Sequence, residues 1–319
     1  MDIYSLIETE DTDSLYDRWD KYRNNLTDYI IECIEDFHIK RKLAETGKKR
    51  IYGEYEIENI VKEHNKKPTL AIWGAGGCND IDVKRLAKYF KLCLIDTNTE
   101  KINQAKERFM LGDDECICVD LKFWDIDMDT YEMFDAMLKD GENVSAIRSF
   151  FEDMIRTMGE TDYNSLPSFD YSVAIGLVSQ LNSRFAALVH VNEYAKDLSK
   201  ELYELNKIAV ERFLFAVNKM TDKAVMLGYE LACQDDINPD INEICASINE
   251  ESQIYLLEGD KKNNFRNFVS NVAGNDILIE KTNKWQENNN LSLVNYKAFI
   301  WPFTKNKEYL MLVDIWERK

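Results

Sequence analysis

Residues 69–80 read Thr69-Leu70-Ala71-Ile72-Trp73-Gly74-Ala75-Gly76-Gly77-Cys78-Asn79-Asp80. A short apolar run stops at a glycine-rich turn, and a helical pattern over residues 80–89 begins straight after it. This order puts a tight backbone loop and a helix start at one end of a buried strand. Glycines there let the chain turn sharply and approach a ligand closely, and the free N–H groups of a helix start favour negative charge. Twenty residues after Gly76, a second apolar run, Leu92-Cys93-Leu94-Ile95, ends in Asp96. An acid at that spacing is where a nucleotide ribose is held.

The alternation continues along the chain. Residues 70–73, 92–96 and 115–121 read as strands, and Thr97-Asn98-Thr99-Glu100 has capping-box spacing for a helix through Phe109. Residues 128–157 read as a long helical stretch with a break at Gly141. Residues 171–177 form a fourth strand, a polar turn at 179–184 leads into a helical region ending near Met220, and 223–232 form a fifth strand. Strands alternating with helices make a parallel sheet with right-handed crossovers. Residues 293–300 and 309–316 flank Pro302-Phe303-Thr304-Lys305-Asn306-Lys307, a link too short for a parallel pair, so these two strands are antiparallel. The fold class is therefore α/β: a doubly wound, mostly parallel, seven-stranded sheet with a C-terminal antiparallel hairpin.

Ahead of the sheet lies a helical appendage, residues 1–67. Leu15, Trp19, Tyr22, Leu26, Tyr29, Cys33 and Phe37 recur at steps of three and four and form one apolar stripe. Thr12 or Asp13 suits the cap of this helix, and residues 51–64 suggest a second one. The stripe must cover either the main sheet or a second subunit, so a homo-oligomer through these helices is one expectation. The body, residues 68–319, carries helical insertions near 125–168 and 234–290, with weak helical signals at 241–257 and 262–272. Both insertions are longer than plain connections need and suit a substrate cover.

Forty basic against 58 acidic side chains give a net charge of −18. That argues against broad nucleic-acid binding, which needs a basic face. The chain has no apolar run of membrane-spanning length and no secretory signal at its N-terminus. Seven cysteines without a regular framework fit reduced thiols. A cytoplasmic protein is expected.

Five parallel strands with a terminal hairpin resemble the class I S-adenosylmethionine-dependent methyltransferases over residues 69–319. Gly74-Ala75-Gly76 is similar to the family's first glycine-rich motif, which packs against the methionine portion of the cofactor. Asp96 matches the acid that holds the ribose hydroxyls, with Thr97 beside it, and a carboxylate can accept both hydrogen bonds. Asp120 and Leu121 match the adenine contact. Ile175-Gly176-Leu177-Val178-Ser179-Gln180 resembles the fourth-strand motif, where Ser179 and Gln180 are candidates to face the methyl donor or the substrate. The family commonly has an acid where this chain has Ile72 and a third glycine where it has Cys78. Asp80 is then the residue expected to reach the cofactor's amine. The resemblance implies S-adenosylmethionine as cofactor and methyl transfer to a small molecule or peptide, with no catalytic residue assigned.

Three other readings compete. A nicotinamide-dependent dehydrogenase shares Gly74 and Gly76 but has Asn79 at the third position of its fingerprint and does not ordinarily end in this hairpin. A cofactor-binding subunit without transfer activity, or a partner-binding protein using the N-terminal stripe, completes the set. Cys116 and Cys118 share one side of a strand, yet no second Cys/His cluster accompanies them and no metal site is expected. His38, His64 and His190 are scattered and supply no general-base motif. Phe150, Phe151, Tyr163 and Trp301 read as aromatic core first and substrate contact second.

Overall fold

The computed structural model describes residues 16–46, 67–121, 128–157, 167–233, 274–288, 290–304 and 307–319. Seven strands form one sheet: β1 (Thr69–Trp73), β2 (Lys91–Asp96), β3 (Cys116–Asp120), β4 (Phe169–Ile175), β5 (Thr221–Cys233), β6 (Leu291–Thr304) and β7 (Lys307–Arg318). Their spatial order is β3-β2-β1-β4-β5-β7-β6. β1 to β5 pair parallel, and β7 runs antiparallel between β5 and β6. The hairpin strands are longer than residues 293–300 and 309–316.

The helices are α1 (Asp20–Thr46), α2 (Val83–Tyr89), α3 (Thr99–Arg108), α4 (Met128–Lys139), α5 (Val144–Thr157), α6 (Ser183–Val191), α7 (Ser199–Met220) and α8 (Asn275–Glu287). One face of the sheet is covered by α1, α2 and α3 and the other by α7 and α8. A third apolar cluster, built on Phe134, Phe151 and Phe185, ties α4, α5 and α6 to the N-terminal half of α7.

The N-terminal stripe is taken by the sheet. Trp19, Tyr22, Leu26, Tyr29, Cys33 and Phe37 are all buried in the same core as β1, β2 and β6. Each such side chain contributes about 1.5–3 kcal/mol on burial. Trp19 sits edge-on to Trp301 with ring centroids 5.5 Å apart, Tyr22 stacks on Trp301 at 6.2 Å, and Tyr29 meets Phe299 at 5.7 Å. The Trp19 indole N–H donates to the Pro302 carbonyl at 2.7 Å. These described residues of the stripe leave no apolar face of their own for a second subunit. Leu15, Thr12, Asp13 and residues 51–64 lie outside the described residues.

Several local expectations are corrected. The helix after the glycine turn starts at Val83, not Asp80, because the Asp82 carboxylate accepts the Arg85 N–H at 3.0 Å and caps it there. With seven residues it is too short to offer a helix-end anion site. Asn98, not Thr97, caps α3, accepting the Lys101 N–H at 3.0 Å. The helical region ending at Met220 is two helices, parted near Glu193, whose φ of 64° ends α6. The break at Gly141 falls between α4 and α5 as expected. The weak helical signals at 241–257 and 262–272 lie outside the described residues, while α8 occupies a stretch that composition marks as polar. Its buried Ile277, Leu278 and Trp285 lie on one side and pack under β6 and β5.

Candidate functional site

The strand order reverses between β1 and β4. From β1 the chain winds outward through β2 and β3, and it returns to the opposite side of β1 with β4 and β5. In an open α/β sheet the crevice beyond the strand C-termini at such a reversal is where ligands bind. Gly74-Ala75-Gly76, Asp96, Asp120 and Gly176 all fall on this edge.

The turn after β1 is fixed by backbone hydrogen bonds to the next strand. Gly74 and Ala75 donate to the Ile95 carbonyl at 2.8 and 3.1 Å, and Cys78 donates to the Ala75 carbonyl at 2.8 Å. Gly76 has a φ of 48°, and a Cβ there would meet nothing within 4 Å. Its backbone is therefore bared to an open space, the cradle a close-approaching ligand needs. Its N–H donates to Asp96 Oδ2 at 2.8 Å, while Asp96 Oδ1 accepts the Asn98 N–H at 2.8 Å. Asp96 thus ties the loop after β1 to the end of β2 and keeps unused lone pairs, since a carboxylate offers about four acceptor sites. Thr97 beside it is exposed.

Cys78 has a φ of 52°. It keeps the left-handed backbone that a glycine would adopt freely, at a cost of roughly 1–2 kcal/mol for an L residue. The loop path therefore survives the replacement. The thiol itself is buried, and burial pushes its ionisation well above the ordinary range.

Two arginines hold the outer part of the loop. Arg23 of α1 donates to the Asn79 carbonyl at 2.9 Å and lies 3.6 Å from the Tyr16 ring centre. Arg108 of α3 donates to the Gly77 carbonyl and, at 2.8 Å, to Asn79 Oδ1. Thr27 of α1 accepts the Asp82 N–H at 3.0 Å, and Asp28 pairs with Arg85. Sequence reasoning missed this clamp, because no local pattern marks arginines that act across more than 20 residues. Asp80, inside the loop, is partly buried, and desolvation pushes its carboxyl from 3.8 up to about 6 against a hydrogen bond from its own backbone N–H and the opposing charge of Arg23.

Asp120 stands beside Asp96 in the β2–β3 register and is exposed, whereas Leu121 is buried and donates its N–H to the Asp96 carbonyl at 3.2 Å. Across the crevice, Ile175 is buried and Gly176 donates to the Gly228 carbonyl at 2.9 Å. A Cβ on Gly176 would lie 3.2 Å from the Trp301 ring. Ser179 donates to Glu230 Oε1 at 2.8 Å, while Gln180 is exposed. The edge is thus built from β1, β2, β3 and β4, walled by Trp301 of β6 and by Trp19 and Tyr22. Glu230 is the second omission of the sequence reading. Its signal is an acid inside an otherwise uncharged strand, Ala224 to Ala232.

Six strands run one way, a single antiparallel strand is inserted next to the edge, and a glycine turn is bonded to the acid that ends β2. This is the class I methyltransferase fold.

No protein-family model matches the chain, and no curated protein matches it. Among solved structures, an S-adenosylmethionine-dependent methyltransferase from Methanosarcina mazei is 12% identical, with 81% of this chain and 96% of that one covered and a TM-score of 0.37. The N-methyltransferase NodS from Bradyrhizobium japonicum, in complex with S-adenosyl-L-homocysteine, is 10% identical over 79% of this chain and 78% of that one, at a TM-score of 0.36. The magnesium protoporphyrin IX methyltransferase ChlM from Synechocystis is 6% identical over 93% and 99%, at 0.34. The strand order, not these loose likenesses, carries the class I fold assignment.

Among the described residues no three His, Cys, Asp or Glu side chains gather as a metal site. Burial pushes the Cys116 thiol up to about 12, so it stays protonated. Among the described residues no helix is long and apolar enough to cross a membrane.

Proposed function

We propose that this chain binds S-adenosylmethionine and transfers its methyl group to a small-molecule or peptide acceptor. The observation that carries the reading is the bond between the Gly76 N–H and Asp96 Oδ2 at the strand-order reversal. It joins the two elements that a nucleoside needs, a bare backbone and a carboxylate with lone pairs to spare. The residues present fit the cofactor. Gly74, Ala75 and Gly76 border its methionine end, Asp96 and Thr97 the ribose, and Asp120 and Leu121 the base. Asp80 faces the amine, and Ile175 with Gly176 lies beside the reacting group.

When bound, the cofactor supplies an electrophilic methyl group on a sulfonium. The chain's contribution is orientation and electrostatics. Asp96 fixes the position of the loop by accepting from Gly76. The Asp80 carboxylate offers a charge partner for an ammonium. Trp19, Tyr22 and Trp301 exclude water from the crevice.

In this reading residues 1–67 act as a cap and 68–319 as the transfer domain, with 125–168 and 234–290 contributing to acceptor binding. The acidic net charge disfavours a nucleic-acid acceptor, and the protein is taken to work in the cytoplasm. Calorimetry with S-adenosylhomocysteine and with NAD tests the proposal. Saturable binding of the first and none of the second is expected; the opposite pattern makes the chain an oxidoreductase. Binding without labelled-methyl transfer to an amine, hydroxyl and peptide panel makes it a cofactor-binding subunit.

A further inference from the structure

Glu230 is 2% exposed, near the C-terminal end of β5 and on the side of the sheet where Tyr22 and Trp301 sit. Burying a carboxylate is costly unless it is matched. Its Oε1 accepts from Ser179 and lies 3.7 Å from the point where a side chain on Gly176 would begin. The carboxylate therefore stands at the fourth-strand motif, where the reacting group is expected, although the cofactor motifs do not call for an acid on β5.

Two buried donors share the same wall. The Tyr22 hydroxyl and the Trp301 indole N–H have no hydrogen-bond partner among the described residues, and the two residues are only 4% and 6% exposed. The Tyr22 hydroxyl lies in the field of both Asp80 and Glu230. A buried donor left unmatched destabilises the fold. The Tyr22 hydroxyl, buried beside two acids, marks a place built for a polar ligand.

We propose that Glu230, Ser179, Tyr22 and Trp301 form the acceptor subsite, and that it takes a basic amine bearing an oxygen acceptor close to its nitrogen. This rests on the methyl-transfer reading. Carboxylates and aromatic faces together favour a cation and repel an acidic substrate. An ammonium has only donors and suits Glu230. The buried Tyr22 hydroxyl donates to an oxygen on the same ligand. Glu230 also supplies the proton acceptor: an N–H bond breaks, an O–H bond forms on the carboxylate, and the electron pair stays on nitrogen, which becomes the nucleophile.

The test uses the full chain with S-adenosylhomocysteine bound, titrated calorimetrically with phenylalaninamide and with its hydroxy isostere 3-phenyllactamide. The amine is expected to bind at least about tenfold tighter than the isostere, the discrimination one charged hydrogen bond provides. Glu230→Gln should lower amine affinity by about tenfold or more, with S-adenosylhomocysteine affinity changed less than about twofold. Tyr22→Phe, which only removes the hydroxyl, should give a smaller loss in the same direction and carries the test if Glu230→Gln does not fold. Equal binding of amine and isostere, or no binding of the amine, overturns the proposal. A Glu230→Gln protein that loses S-adenosylhomocysteine as strongly as the amine assigns the carboxylate to the cofactor's own ammonium instead. Wild-type protein that binds no S-adenosylhomocysteine overturns the cofactor reading separately.

Discussion

Asp80 puts a cost on folding that a substitution can expose. Its carboxyl rises from 3.8 to about 6 because desolvation outweighs both a hydrogen bond from its own backbone N–H and the attraction of Arg23. At about 1.4 kcal/mol per pH unit this is about 3 kcal/mol against the charged form, and partial exposure of the side chain screens it to about 1–3 kcal/mol. The folded-state value lies above the unfolded one, so the folded protein binds the extra proton. The penalty is absent below about pH 4, grows as pH rises through the window from 4 to 6, and is complete above it. Asp80→Asn removes the charge and keeps the size. At pH 8 the variant should melt about 2–6 °C above the wild type, at about 2 °C per kcal/mol for a chain of this length, and at pH 4 the difference should vanish. Differential scanning calorimetry of the two ligand-free proteins across this range reads it, and other carboxylates cancel in the difference. Cofactor affinity should move the opposite way, falling about 10–100-fold with loss of a charged hydrogen bond. A melting difference independent of pH, or an Asp80→Asn protein that melts lower at pH 8, would refute the reasoning.

Three further perturbations address neighbouring parts of the site. Asp96→Ala strips the acceptor from the Gly76 and Asn98 N–H groups, and S-adenosylhomocysteine affinity should drop about 10–100-fold by calorimetry. Gly176→Ala places a Cβ 3.2 Å from the Trp301 ring at a φ of 63°; urea unfolding followed by tryptophan fluorescence should show a loss of about 1–3 kcal/mol. Trp19→Ala removes the edge contact to Trp301 and the donor to Pro302. It should cost about 3–5 kcal/mol, appearing in hydrogen exchange as lost protection of α1 while β1, β4 and β5 stay protected.

Most of the sheet was legible from residues alone, because parallel strands buried on both faces read as short apolar runs. Leu70 to Trp73 and Leu92 to Ile95 are such runs, and they fixed where the glycine turn and Asp96 would meet. Start points were less legible. Whether the helix after the loop begins at Asp80 or Val83 depends on which of two nearby acids turns back onto an N–H, and both residue types suit a cap. α8 escaped notice because its apolar residues, the run Ile277-Leu278-Ile279 and a lone Trp285, make no helical stripe among Asn and Lys; packing on β5 and β6 stabilises it, not propensity. The arginine clamp and the Glu230 wall are tertiary. Arg23 reaches Asn79 across 56 positions and Ser179 reaches Glu230 across 51, distances over which one sequence carries no pairing signal.

The Trp19 to Pro302 bond spans 283 positions, and this has a consequence for synthesis. α1 cannot seal its apolar stripe until residues 299–302 exist and β7 has slotted between β5 and β6. At roughly 5–20 residues per second, the interval is about 15–60 s. Throughout it the part of the stripe that packs on Phe299 and Trp301 stands uncovered on the nascent chain, long enough for a chaperone to bind it. The helix packed against the sheet in the finished protein is thus, during its making, open to aggregation.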